Sequence, residues 1–76
     1  MSEIVKYLGL RLIKEGWVAV LDCGRGPDNW NAASIALAVN NRIHDKQPVP
    51  PALRDATVDL ENLHTGRDVR YYEEAR

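Results

Sequence analysis

Residues 20–31, VLDCGRGPDNWN, hold the spacing with most chemical promise: an apolar run, a thiol, two glycines around Arg25, then polar residues fit to open a helix. At such a corner, unpaired amides and the helix dipole together favour an anion. The details argue against a nucleotide. A dinucleotide fingerprint needs a third glycine so that helix and strand pack closely, and Asn29 stands there. A phosphate loop of the Walker type ends in Gly-Lys-Ser/Thr, which this stretch lacks. The stretch therefore reads as a sharp corner, with Arg25 as a contact for a single anion at most.

Cys23 sits beside Arg25, near an expected helix start, and both features lower a thiol pKa. No His, Asn or Asp has a spacing that marks it as the partner of a nucleophile, and Asn29 takes the arginine place of a C-x5-R pattern. The expectation is a buried free cysteine that acts as a small hydrophobe. Glu61 and His64 have the i, i+3 spacing of helix-borne metal sites, but one copy supplies half a site, and His64 continues an apolar stripe. Pro48, Val49, Pro50 and Pro51 read P-x-x-P, yet Asp45 stands where a recognised ligand carries a base, so the segment is a stiff connection. No catalytic residue, metal or cofactor is expected.

Two groups suit binding better. Trp30, Arg70, Tyr71 and Tyr72 are of the types that anchor protein interfaces. Asp55 and Asp59 are like charges one helical turn apart, with no basic residue spaced along the helix to relieve them, and form an acidic stripe on which a basic partner docks. A competing assignment gathers Arg25, Arg42, Arg67 and Arg70 into a local basic patch, with Tyr71 or Tyr72 stacking on a base of a nucleic acid.

The elements that position these residues follow from periodicity. In residues 4–22 two patterns compete. Ile4, Val5, Leu8, Leu12 and Ile13 make a helical face, whereas Leu8, Leu10 and Leu12 alternate as in a strand, with IKEG as a turn before WVAVLD. The hairpin is adopted, over residues 8–22, because Gly9 costs a helix about 1 kcal/mol relative to alanine. Its register sets Leu12 opposite Val18 and Leu10 opposite Val20. Residues 29–44 follow as a helix whose wide apolar arc implies two neighbours and a central place, capped by Asp28 or Asn29. Pro51 opens a second helix to about residue 64, stopped by Thr65-Gly66. The closing RDVRYYEEAR is short enough to add a third strand or a helical turn.

A chain of 76 residues has the length of one compact domain, taken as 1–76. At roughly 0.05–0.15 kcal/mol per residue its stability is about 4–11 kcal/mol, a small reserve for a strained catalytic site. A formal charge of −1 lacks the broad positive field of a nucleic-acid or acidic-membrane binder. One cysteine cannot form an intrachain disulfide, and MSEIVKYLGLRLIKEG is too interrupted by charge for a signal or membrane segment, so a cytoplasmic, soluble protein is expected. The fold class expected is α+β, a hairpin packed on two helices; an all-α bundle of three to four helices is the alternative. The function expected is that of a non-enzymatic protein-interaction module that occupies a surface of a larger protein or complex. Small accessory or inhibitory proteins of phages and mobile elements, directed at host defence complexes, are the base-rate example. A nucleic-acid-binding accessory protein is the alternative.

Overall fold

In the computed structural model of this chain, residues 6–63, 65 and 69–72 are described. Three strands, β1 (Lys6–Ile13), β2 (Gly16–Asp22) and β3 (Pro27–Trp30), form an antiparallel sheet in chain order, followed by α1 (Ala32–His44) and α2 (Pro51–Asn62). The α+β class is as expected, and the all-helical alternative is not.

The hairpin forms, with its register slipped by one residue. Leu10 pairs with Ala19, Leu12 with Trp17 and Ile13 with Gly16. Only Lys14 and Glu15 separate the strands, one residue fewer than a register of Leu12 opposite Val18 requires. Because side chains alternate with period two, this slip decides what faces the helices. Leu10, Ala19 and Leu21 enter the core with Ile35, Ala52, Leu53 and Ala56. Val18 and Val20 alternate onto the other face and are buried too. A bulge between Tyr7 and Gly9 puts Tyr7 opposite Leu21, so Tyr7 also packs against the core.

The third strand is β3, made of residues that had been assigned to the loop and helix start. Helix α1 begins later than expected because Asn31, rather than Asp28 or Asn29, is the cap: its side chain accepts from the Ser34 amide at 2.8 Å. Pairing of Trp30 with Ala19 holds the preceding residues extended. Pro27 fits this strand for a definite reason. Leu10 turns its own N–H and C=O outward, to the Arg70 carbonyl and the Tyr72 amide, so its partner Ala19 bonds toward β3. Trp30 and Asp28 then bond inward and Asn29 and Pro27 face the open edge, where a missing N–H breaks nothing.

The central place belongs to α2, which packs on β1, β2 and α1. Pro51 at its first turn and the small Ala52 and Ala56 let it lie close to the sheet. Helix α1 buries only Ile35 fully, and Leu37 and Ile43 are each 62% exposed. Its wide apolar arc thus has one neighbour less than its pattern suggested.

Candidate interaction site on the outer edge of β1

The described part of the closing segment, residues 69–72, meets the sheet, although not as a full strand. Residues 69–72 run parallel to β1, with an isolated bridge between Leu10 and Tyr71. Leu10 donates to the Arg70 carbonyl and the Tyr72 amide donates to the Leu10 carbonyl, each at 2.8 Å. Gly9 makes this approach possible: a Cβ there would lie 2.7 Å from both the Tyr71 carbonyl carbon and the Tyr72 nitrogen. Its φ of +127° is also one that side-chain-bearing residues rarely adopt.

Arg70 links this segment to α2. Asp59 is only 3% exposed, and its Oδ2 accepts from the Tyr7 hydroxyl at 2.7 Å and from the Arg70 amide at 3.3 Å. The Arg70 Nε lies 3.4 Å from the same oxygen, and its terminal nitrogen donates to Asp55 Oδ2 at 3.3 Å. The guanidinium also rests 5.3 Å from the Tyr7 ring centroid. Burial, and then the bond to the Asp59 carboxylate, push the Tyr7 hydroxyl well above its ordinary pKa, so it stays a proton donor.

The acidic stripe is therefore corrected. Asp59 lies inside the fold, and Asp55 and Asp59 are relieved by Arg70, a base distant along the chain rather than on their own helix.

Beside this network the surface is apolar and aromatic. Leu12 is 62% exposed, Trp17 39% and Tyr71 57%. Leu12 and Trp17 are cross-strand partners, and the Trp17 and Tyr71 ring centroids are 5.7 Å apart. Arg11 stacks over the Tyr72 ring at 4.7 Å and bonds Asn29. Of the residues singled out by type, Asp55, Asp59, Arg70, Tyr71 and Tyr72 thus come together on one edge. Tyr7, Leu12 and Trp17 were not anticipated there. The slipped register hides Leu12 and Trp17, and Tyr7 had no visible partner; Gly9 inside an apolar run was the one available signal of a close backbone approach.

Trp30 lies apart, on β3 at the opposite edge. It is half-buried against the core and, with Leu37 and Ala38, lines an open groove of about 400 Å³ edged by Asn29, Ser34 and Asn41. The basic patch is not assembled by any described contact. Arg25 is exposed in the loop after β2, Arg42 bonds the Ala38 carbonyl on α1, and Arg70 is held by two carboxylates. Arg67 and His64 lie outside the described residues.

The glycine corner closes on itself. Asp22 Oδ1 accepts from the Gly24 amide at 2.7 Å and from the Gly26 amide at 3.2 Å, so the anion these amides hold is the chain's own carboxylate. With α1 starting at Ala32, neither Cys23 nor Arg25 stands at a helix terminus. Cys23 is a free thiol, half-buried against the core. Among the described residues no three His, Cys, Asp or Glu side chains are grouped to hold a metal, and no helix is long and apolar enough to cross a membrane. Comparison with models of known protein families, with curated proteins and with solved structures finds no match to this chain.

Proposed function

We propose that this protein is a non-enzymatic interaction module, accessory or inhibitory to a larger protein, that binds through the outer edge of β1. The observation that carries this reading is the contiguous exposure of Leu12, Trp17 and Tyr71. Two aromatic rings in contact offer large, nearly rigid area, which loses little side-chain entropy when covered. Arg70, half in solvent, borders that patch with a charge already fixed in direction by Asp55 and Asp59. Fixing it beforehand lowers the ordering cost of binding. Asp55 stands at the rim of the contact, and Asp59 supports it from beneath.

Affinity capture with the wild-type chain, Trp17→Ala/Tyr71→Ala and a distant Leu37→Ala control tests the reading. A prey protein kept by the control and lost with the double variant supports it; identical prey for all three removes the β1 edge from consideration. Nucleic acid is the less favoured ligand, because among the described residues Arg70 is engaged by two carboxylates and Arg42 by the Ala38 carbonyl. Salt-sensitive binding of an oligonucleotide at low ionic strength would reverse that preference.

A further inference from the structure

Helix α1 has an outward side that carries no Asp, Glu, Lys or Arg. Such residues make up 28% of the chain, a share that would put three or four of them on a helix of thirteen, yet α1 has only Arg42. That one is half-buried and bonds back to the Ala38 carbonyl. Ile35 and Val39 turn toward the core, and away from it runs a row of Ala33, Ala36, Leu37, Asn40 and Ile43, all exposed. Leu37 and Ile43 are the large members, each 62% exposed. A surface helix keeps charges on its wet side, and one that lacks them there is ordinarily covered. Within the chain α2 is its main neighbour and leaves this row open.

We infer that the row is the contact of a symmetric dimer, in which the α1 helices of two copies pack antiparallel across a two-fold axis. The row itself selects a second copy. It offers no charge to attract a charged partner, and pairing it with itself brings no like charges together. Its shape also fits when reversed on itself: the spacing 33, 36–37, 40, 43 sets Ile43 over the partner's Ala33 and Asn40 over the partner's Ala36, large on small. Antiparallel packing further places the N-terminus of each helix beside the C-terminus of the other, so the two dipoles attract. The same patch serves on both copies, so assembly closes at two. A helix side about 20 Å long and about 10 Å wide supplies roughly half of the about 800 Å² that a standard interface takes from each partner, so the dimer is reversible, with a dissociation constant on the order of 100 μM. Leu12, Trp17 and Tyr71 stand at the β1 edge, outside this contact, so the inference goes beyond the reading above and does not depend on it.

Sedimentation equilibrium of the full chain from about 10 μM to about 1 mM should follow the wild type from monomer to dimer. Leu37→Lys/Ile43→Lys should weaken association at least tenfold, because pairing would bury unpaired ammonium groups. Val58→Lys, at an exposed apolar position of α2, should leave it unchanged. A wild type that stays monomeric at the highest concentration overturns the inference, as does a dimer that the double lysine variant keeps, or one that Trp17→Ala/Tyr71→Ala abolishes. Cross-linking gives a second reading that needs no lysine variant. In a Cys23→Ser background under oxidised glutathione, a mixture of Ala33→Cys and Ile43→Cys chains should form a disulfide-linked pair that neither forms alone. Linkage of either variant to itself would mean parallel helices, and no linkage in the mixture would mean no contact at α1; each result sinks the antiparallel dimer.

Discussion

Gly9 on β1 and the Gly24–Gly26 pair after β2 share positive φ values, of +127°, +99° and +103°, but they meet different surroundings. A Cβ at Gly9 would collide with the backbone of residues 71 and 72, at the other end of the chain, whereas one at Gly24 or Gly26 would meet nothing within 4 Å. The paired glycines serve a local turn, closed by the carboxylate of the residue before Cys23. The lone glycine lets two distant segments touch. A glycine-rich spelling that resembles a ligand loop can thus be pure geometry, while a single glycine in a strand admits the contact that places Tyr71 beside Trp17.

Gly9→Val should break that contrast most severely. The substitution adds backbone strain of about 1–3 kcal/mol and a clash of similar size, so urea unfolding should show a loss of about 3 kcal/mol or more. Gly24→Ala and Gly26→Ala, strained without a clash, should each cost about 1–2 kcal/mol. If all three cost the same, residues 69–72 do not press on Gly9 and the two regions are alike. Asp59→Ala comes next. It leaves the Tyr7 hydroxyl and the Arg70 amide without their acceptor, and a loss of about 2–4 kcal/mol is expected, below that of a fully buried pair because the Arg70 side chain reaches water. A companion Asp55→Ala, removing a pair exposed on both sides, should change stability by less than about 1 kcal/mol in the same assay.

These effects also mark where the sequence could be read. Both helices and the hairpin follow from local repetition: Ile35 and Val39 on α1, Leu53, Ala56 and Leu60 on α2, alternation around Leu10. What depends on distant chemistry is not visible in that way. Asp59 looks like half of a solvated acidic pair until Arg70, eleven residues later, is brought beside it by the return of the chain along β1. The register turns on one residue of turn length, and that residue moves Trp17 from beside Ile13 to beside Leu12 on the exposed part of the helix-side face. Strand β3 is hidden for another reason. Pro27, Asp28 and Asn29 have poor strand propensity and are extended because Asp22, Leu21 and Val20 pair with them. The candidate site was half legible: its residue types were identified, but their assembly and its Trp17–Tyr7 half were not.

Tyr7→Phe probes the same network by a smaller amount. Removing one hydrogen bond to a buried carboxylate should cost about 1–2 kcal/mol at neutral pH, read from urea midpoints. Its pH dependence has a definite sign. The folded chain holds the Tyr7 proton more tightly than the unfolded chain does, so this contribution is intact below the ordinary tyrosine pKa of about 10 and is lost as pH rises beyond it. The stability difference between wild type and Tyr7→Phe should therefore shrink above about pH 10 and be constant between about pH 6 and 9. A difference that grows in alkali would mean that the hydroxyl ionises readily and is not the donor to Asp59.

A small effect also belongs to the corner. Asp22→Ala removes the acceptor of the Gly24 and Gly26 amides, but both bonds are at or near the surface, where water replaces the carboxylate, so the expected loss is about 1 kcal/mol or less. The variant is informative because it also vacates the cradle. If these amides form only a turn, phosphate or sulfate should leave the melting temperature of Asp22→Ala where it leaves that of the wild type, with no selective shift of the Gly24 and Gly26 amide resonances. If an oxyanion restores the lost stability and moves those two resonances, the Asp22 carboxylate is an internal substitute for a ligand. The corner would then hold a ligand, and the contrast with Gly9 would no longer be one between a closed turn and a contact surface.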